Sequence, residues 1–344
     1  MSDRTELNDL GEFGLIEHLT KNIHHVQPST VRGVGDDAAV IDRGDYYELV
    51  TSDLLVEGVH FDMGYTPLKH LGYKSIAVNV SDICAMNGKC EQVTVSLAVS
   101  NRYSVEALEQ IYEGILLACE VYNIDLVGGD TSTSLSGLVI SVTAIGRVDK
   151  DKIAYRSGAK EHDLICVSGD LGASYIGLQI LERENQIWKE NPSIQPDLEG
   201  HDYVLERFLK PEARVDIIDK LAEKGILPTA MMDVSDGLGS EVLHICKQSK
   251  VGAKVFEAKL PIDPTVTTQA QEFKLEPSLC AMNGGEDYEL LFTVDQKDFE
   301  KVNMMEGVHI IGHIAHATDG ATVVYPKGEE IFIKAQGWNA FDGK

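Results

Sequence analysis

The feature that most limits the possible folds is an alternation of strand-like and helix-like segments through the first half of the chain. The strand-like segments, rich in β-branched and other apolar residues, are 47–53, 91–100, 124–130 and 137–148. Two segments carry apolar residues at helical spacing: 67–86, which opens with a proline, and 104–122. Strands interrupted by two helices predict an α/β layer with its helices on one face.

The alternation begins again in the second half of the chain. The predicted elements are strands at 163–169 and 288–294, helices at 171–184 and 211–225, and a strand that runs through a turn into a helix at 229–249. Pro211 would begin the second of these helices and Gly225 would end it. This restart predicts a second domain, with the boundary near residues 149–160.

One part of the second half fits neither pattern. Residues 185–210 are polar, interrupted by prolines and without clear periodicity. Such a stretch is typical of an insertion or surface excursion within a domain. We therefore predict two domains, residues 1–150 and residues 151–344, with this excursion inside the second.

The charge of the chain restricts its partners. Its 344 residues are long enough for two domains and a large core, and 43% hydrophobic and 25% charged residues are ordinary for a globular protein. The net charge of −25 is not ordinary. Binding to a nucleic-acid backbone needs a basic surface, so nucleic acid is excluded as the expected partner. An acidic chain that handles anionic substrates would need metal ions to bridge like charges.

The cysteines and the apolar segments point to a cytoplasmic protein that does not span a membrane. The sequence has no window long enough to span a bilayer and does not begin with a basic segment followed by an apolar one. Its cysteines form no CxxC pair and no metal-ligand spacing, and most lie in apolar stretches, as small core residues do: Cys84, Cys90, Cys119, Cys166, Cys246 and Cys280. Neither a disulfide framework nor a structural zinc site is expected.

Aspartates recur after apolar runs and beside Gly, Ser or Thr. They are Asp36 and Asp37 in GVGDDAAVI, Asp53, Asp82, Asp130, Asp233 and Asp236. Taken singly, each has an ordinary interpretation as a turn residue or a helix cap. Asp82 is the hardest to explain that way, because an ionised carboxylate on an apolar helix face is costly unless it is paired or binds a cation.

Together these aspartates indicate a magnesium site. In α/β folds functional groups collect where the ends of strands and helices meet at one cleft, and hard oxygen ligands suit Mg²⁺ shared with substrate phosphates. Neighbouring side chains in an extended segment point to opposite faces, so we expect Asp36 to face the metal and Asp37 to have a lesser part. The sequence contains neither a G-x-x-x-x-G-K-[ST] phosphate loop nor an H-R-D catalytic loop.

Eight motifs together resemble the thiamine-monophosphate kinase family, which belongs to the aminoimidazole-ribonucleotide-synthetase-like superfamily. In chain order they are GEFGLI, GVGDDAAVI, TSDLLVEGVHF, NVSDICAMNG, LVGGDTS, YRSGAKEHDLICVSGDLGAS, MMDVSDGLGSE and NGGEDYELLFTV. The resemblance covers about residues 11–341, and LVEGVHF and GGEDYELLFTV are far more specific than GDD. It departs from the usual family pattern at AMNGKCEQ and TSD, and residues 185–210 match no family motif.

The resemblance implies a two-domain α/β fold in which the N-terminal sheets of two protomers pair into a barrel across a homodimer. ATP and substrate would meet in a cleft near that interface, so the N-terminal domain would serve ATP and Mg²⁺ binding and dimerisation, and the C-terminal domain would complete the cleft. The implied metal ligands are Asp36, Thr51, Ser52, Asp53, Asp82, Asp130, Asp233 and Asp236. The implied ATP-binding residues are Tyr112, Gly129, Asp130, Arg156 and Ser235, and the implied substrate contacts are His60, Glu286 and Trp338.

The implied reaction is transfer of the γ-phosphoryl group of ATP to thiamine monophosphate, giving thiamine diphosphate and ADP. The acceptor oxygen belongs to a phosphate group whose second pKa is about 6. Because this group is already largely ionised near pH 7, its attack needs no general base. We therefore expect no catalytic nucleophile or base from the protein, several Mg²⁺ ions and direct in-line transfer without a phospho-enzyme.

Three alternatives from the same superfamily are weaker. A selenophosphate synthetase would need a reactive cysteine near the N-terminus, but the first cysteine is Cys84, and the hydrogenase-maturation relative would end in a cysteine, whereas this chain ends NAFDGK. An aminoimidazole-ribonucleotide synthetase would not carry LVEGVHF together with GGEDYELLF.

A non-catalytic cation binder is the alternative from another class. Such proteins use local loops with a ligand at every second residue, whereas these carboxylates are spread over about 200 residues. Three of the implied site residues also have a structural interpretation. His60 could be a core or surface histidine, Arg156 a solvated charge and Trp338 a packing residue.

Overall fold

The computed structural model describes residues 7–334. Its helices are α1 (Leu7–Thr20), α2 (Leu68–Ala85), α3 (Val105–Tyr122), α4 (Ala173–Glu190), α5 (Asp202–Leu209), α6 (Val215–Lys224), α7 (Leu238–Ser249), α8 (Pro264–Glu272), α9 (Pro277–Asn283) and α10 (Phe299–Asn303). Within this range, none of the helices is both long enough and apolar enough to cross a bilayer.

The strands form two sheets. The first sheet contains β1 (Thr30–Arg32), β2 (Ala39–Asp42), β3 (Tyr46–Val56), β4 (Lys89–Val99), β5 (Asp125–Thr133) and β6 (Val139–Asp149), in the order β1-β2-β3-β6-β4-β5. The second contains β7 (Leu164–Ser168), β8 (Ala230–Asp233), β9 (Gly252–Phe256), β10 (Leu290–Val294), β11 (Val308–Ala315), β12 (Ala321–Val324) and β13 (Glu330–Phe332), in the order β13-β12-β9-β11-β7-β10-β8.

The first sheet is mainly antiparallel and has α2 and α3 against one face. Strand β6 pairs antiparallel with both β3 and β4, whereas β4 and β5 are parallel and are connected through α3. Buried residues alternate along β4 and β6, as expected for a sheet covered on one side. Strand β5 lies at the edge of the sheet, and nearly all its residues are exposed.

Helices α2 and α3 approach closely because glycines face each other across their contact. A Cβ atom added to Gly72 would lie 2.0 Å from the carbonyl oxygen of Ile111, and one added to Gly114 would lie 1.9 Å from that of Lys69. Both distances are far below van der Waals contact, so only glycine allows this approach. The contact holds α2 deep in the molecule, with most of its residues buried.

The cores of the two sheets are connected. The largest hydrophobic cluster includes Leu49 and Val142 of the first sheet together with Met231, Leu290 and Phe292 of the second. Helix α2 therefore lies between the sheets, in contact with β3, β4, β6 and β8. Asp82 of α2 lines the space between them.

The structure corrects two predicted elements of the second half. Residues 185–210 form the predicted surface excursion only in part: residues 191–200 are exposed, but α4 extends to Glu190 and α5 packs closely on it. A Cβ atom on Gly177 of α4 would lie 2.1 Å from the carbonyl oxygen of Val204 in α5. Helix α6 begins at Val215, four residues after Pro211. The Arg207 guanidinium of α5 lies 3.0 Å from the carboxylate of Glu289, a buried pairing that polarity along the chain does not indicate.

Candidate active site

A cleft of about 840 Å³ opens between the two sheets. Its walls come from β3 and the loop after it, from α2, from α4, from the end of α5, and from the loops that precede α7 and β10. Of the residues predicted for the site, seven line this cleft: Asp53, His60, Asp82, Asp233, Ser235, Asp236 and Glu286. Asp233 lies at the end of β8.

Three carboxylates meet at one end of the cleft. Asp37, Asp82 and Asp233 each place a carboxylate oxygen within 4.8 Å of the others. They come from the loop before β2, from α2 and from the end of β8, so the cluster forms only when α2 is packed between the sheets. Two hydroxyl groups orient it: the Thr51 hydroxyl donates to Asp82 at 2.6 Å, and the Ser81 hydroxyl donates to Asp233 at 2.6 Å.

The carboxylates raise one another's pKa values. Burial, followed by repulsion from Asp37, raises the pKa of Asp233 to about 7. Burial and repulsion from Asp53 and Asp233 raise the pKa of Asp82 well above its ordinary value. Burial and repulsion from Asp37 raise the pKa of Asp53 to about 6. Hard oxygen donors held together against their repulsion fit a divalent cation such as Mg²⁺.

The neighbouring pair Asp36 and Asp37 differs from our expectation. Asp37 belongs to the carboxylate cluster, and it also accepts hydrogen bonds from Arg156 Nε at 3.0 Å and Nη2 at 2.7 Å. Asp36 accepts the backbone N–H of Arg156 at 3.1 Å and lies 2.8 Å from Arg32 Nε. Asp37 therefore does not have the lesser part that alternation along an extended segment suggests, because the chain turns at this pair instead of running straight.

Residues 51–53 lie within β3, which continues to Val56, so Asp53 does not end its strand. Thr51 and Asp53 share the face that carries the cluster, since side chains two apart in a strand point the same way. The backbone N–H of Asp53 donates to the side-chain oxygen of Asn79 at 3.0 Å. Ser52 instead donates to the carbonyl of Val142 on β6 at 3.0 Å, and it is not brought to the cluster.

A buried glutamate that sequence analysis missed shapes the turn before α7. Glu241 Oε1 accepts the backbone N–H groups of Ser235 at 3.1 Å and Asp236 at 2.8 Å. It therefore holds the turn that carries both predicted site residues, and burial raises its pKa well above its ordinary value. The signal in the sequence was a glutamate in the first turn of a predicted helix, directly after SDG.

The two described residues predicted to contact substrate, His60 and Glu286, line the same cleft as Asp82 and Asp233. His60 Nδ1 accepts the backbone N–H of Val56 at 3.0 Å, and burial lowers the His60 pKa. The Glu286 carboxylate lies 3.0 Å from Lys74 Nζ, a buried ammonium that sequence analysis did not single out. The third predicted contact, Trp338, lies outside the described residues.

The predicted ATP-binding residues are divided between two places. Tyr112, Gly129 and Asp130 line an open groove of about 570 Å³ along β5. A Cβ atom on Gly129 would lie 1.7 Å from the carbonyl oxygen of Val95, so glycine is required for β5 to pair with β4 there. Arg156 and Ser235 lie instead beside the carboxylate cluster and at the cleft. Within one chain, Asp130 is thus not among the clustered carboxylates.

The chain is similar to known proteins over nearly its whole length. A family model described as "AIR synthase related protein, N-terminal domain" matches residues 35–148. The thiamine-monophosphate kinase of Bacillus subtilis is 34% identical over 343 residues, which cover 96% of this chain and 100% of the relative.

Two solved structures extend the likeness to the whole fold. One, of AaThiL complexed with AMPPCP and TMP, has a TM-score of 0.83 and 31% identity and covers 99% of this chain and 100% of its own. The other is the thiamine monophosphate kinase of Aquifex aeolicus, with a TM-score of 0.76, 30% identity and coverage of 95% of this chain and 100% of its own.

Proposed function

Because the chain belongs to the thiamine-monophosphate kinase family, we propose that it transfers the γ-phosphoryl group of ATP to thiamine monophosphate, giving thiamine diphosphate and ADP. The similar structure that holds AMPPCP, an ATP analogue, together with TMP supports this pair of substrates. Within the fold, the observation that carries the proposal is the meeting of Asp37, Asp82 and Asp233 at the end of the cleft.

For this reaction the protein must position two anions, ATP and the phosphate of thiamine monophosphate, because the acceptor phosphate is largely ionised near neutral pH. No general base is needed, and we propose that none is supplied. Asp82 and Asp233, each oriented by a hydroxyl donor, would hold the cation that gathers the phosphate groups. His60 and Glu286, which line the same cleft, would hold the organic part of the substrate.

We propose that Mg²⁺ ions are held by the aspartates of the cleft. Asp37, Asp53, Asp82 and Asp233 would form the centre of the metal site. Asp36, Thr51, Ser52, Asp130 and Asp236 complete the proposed set of ligands from the family pattern. When bound, Mg²⁺ neutralises the charge of the phosphate groups and of the transferred group.

The assembly we propose is a homodimer formed through the first sheet. Strand β5 is an edge strand, and Val127 on it is 57% exposed. An exposed edge can pair with another chain, and two such sheets would close into a barrel. Residues 1–150 would then supply ATP and metal binding and the dimer interface, and residues 151–344 would complete the cleft. The β5 groove, with Tyr112, Gly129 and Asp130, would lie near the interface.

End-point product analysis tests the proposed function. Purified protein is incubated with ATP and Mg²⁺ and with either thiamine monophosphate or free thiamine, and products are separated chromatographically. We expect thiamine diphosphate and ADP in equal amounts, formed only from the monophosphate and only with the metal. No product from either acceptor, from protein that binds ATP and Mg²⁺, would assign the chain to another activity of the superfamily.

A further inference from the structure

We propose that Lys74 is a positioning residue for substrate binding, because its buried ammonium holds the Glu286 carboxylate in place at the wall of the cleft. This inference rests on the proposed function, and it adds a residue to that site. Lys74 lies in α2, within the motif HLGYKSIAVNV. It is only 3% exposed, whereas exposure is the rule for lysine.

The contacts of Lys74 connect three parts of the cleft wall. Its ammonium donates to Glu286 Oε2 at 3.0 Å and to the carbonyl oxygen of Phe208 at 3.2 Å. It also lies 4.4 Å from the centre of the Phe208 ring, a cation–π contact. Phe208 and Glu286 both line the cleft. The Lys74 ammonium therefore connects α2 to the end of α5 and to the loop before β10.

Glu286 needs such an anchor because its side chain is partly exposed, and its backbone is unusual as well. Its φ is 55°, and that of Tyr288 is 51°, in the left-handed region that non-glycine residues seldom adopt. Its side chain is 27% exposed, so the carboxylate has room to turn toward solvent. The ion pair with Lys74 uses Oε2, and we assign Oε1 to the ligand in the cleft.

The charges suit one part of the substrate. The thiazolium ring of thiamine monophosphate carries a fixed positive charge, and a carboxylate at the cleft surface attracts it. Lys74 lies behind that carboxylate, with 4% of its side chain exposed, and thus contacts Glu286 instead of the ligand. Burial is the main cause of the lowered His60 pKa, which the charge of Glu286 raises and that of Lys74 lowers.

The test is equilibrium binding of thiamine monophosphate, measured by titration calorimetry with Mg²⁺ present. For Lys74→Gln we expect the dissociation constant to rise about tenfold or more, the scale of a lost charge-assisted contact. The glutamine amide can still donate to the Phe208 carbonyl, and the exposed part of Glu286 can be hydrated, so the variant should fold. The affinity for AMPPCP should change less than about twofold. Lys69→Gln is the matched control, because Lys69 lies on the same helix with 53% of its side chain exposed.

A double-mutant cycle separates positioning from a merely structural role. If Lys74 acts through Glu286, the Lys74→Gln/Glu286→Gln variant should bind thiamine monophosphate no more weakly than the weaker single variant. Additive losses, or wild-type affinity in Lys74→Gln, would overturn the inference. Equal weakening of AMPPCP and thiamine monophosphate would overturn it as well. Because binding is measured without turnover, a wild-type protein that binds the monophosphate but forms no product would refute the proposed function alone.

Discussion

At the scale of single residues, the clustered carboxylates of the site lower the stability of the folded chain. Asp82 and Asp233 lie close to each other and to Asp37, and burial together with mutual repulsion raises their pKa values. Such a cluster opposes folding whenever its members are ionised and no cation is bound. The Thr51 and Ser81 hydroxyls offset part of this cost by donating hydrogen bonds to Asp82 and Asp233.

Replacement of Asp82 should separate activity from stability. We predict that Asp82→Asn lowers kcat by about a hundredfold or more, the scale for losing a group that stabilises charge in the transition state. The metal-free variant should be at least as stable as the wild type, because one of the repelling carboxylates is gone. Steady-state kinetics and thermal melts without Mg²⁺ check both parts. Near-normal turnover would remove Asp82 from the site.

The raised pKa of Asp233 predicts how stability depends on pH. Its value is about 7 in the folded chain and is ordinarily 3.8, so between these values the folded state binds more protons than the unfolded state. The contribution of Asp233 to the free energy of unfolding therefore falls as pH rises through this window and is constant above it.

Urea denaturation without Mg²⁺, at several pH values across that window, measures this dependence. Asp233→Asn should lose less stability than the wild type between the lowest and highest pH, because asparagine does not titrate. It keeps an acceptor for the Ser81 hydroxyl, so the comparison isolates the charge. The prediction is wrong if the variant and the wild type show the same dependence on pH.

At the scale of elements, α2 organises the site, and it is also the element that sequence analysis predicted best. Residues 67–86 were expected to be helical, and Leu68–Ala85 are. Strands β3 and β6 were predicted as well, because the residue types and the spacing of apolar residues that indicate a strand are local properties of the sequence. Helix α5 was not predicted. It is only eight residues long, and its position depends on contacts with residues distant in the sequence, such as that of Arg207 with Glu289. The pairing of Arg156 with Asp37 and of Lys74 with Glu286 could not be predicted, because pairing across the fold leaves no local pattern.

The close approach of α2 and α3 gives a test of this packing. We predict that Gly72→Ala destabilises the protein by about 1–3 kcal/mol, because the new methyl group meets the Ile111 carbonyl and the helices must separate. Gly14→Ala is the control, since its Cβ atom would make an ordinary 3.5 Å contact with Leu10. Urea denaturation of both variants provides the comparison. Equal stability of the two would show that the helices have room to adjust.

At the scale of the whole molecule, the residues predicted for the site lie in two places. The cleft holds the carboxylate cluster and the proposed substrate contacts, and the groove along β5 holds Tyr112, Gly129 and Asp130. The two successive runs of strands and helices in the sequence predicted two separate layers. The pairing of protomers, which would bring the groove and the cleft into one site, was implied only by the family resemblance. The described single chain holds them apart, so the proposed dimer has a function beyond stability.

Disruption of the exposed edge tests that dimer. We predict that Val127→Lys, which places a charge on β5, converts a dimer to a monomer and abolishes most of the activity. Analytical ultracentrifugation of the wild type and the variant reports the mass, and the product assay reports the activity. A wild-type monomer with full activity would contradict the proposed assembly.

The measurement that tests the central claim most directly follows the γ-phosphoryl group itself. The protein is incubated with Mg²⁺ and ATP labelled in the γ-phosphate, with and without thiamine monophosphate, and label is measured in products and on the protein. We predict that the label passes to the terminal phosphoryl group of thiamine diphosphate and that the protein carries none in either mixture. Label bound covalently to the protein, or no labelled thiamine diphosphate, would contradict direct transfer in this cleft.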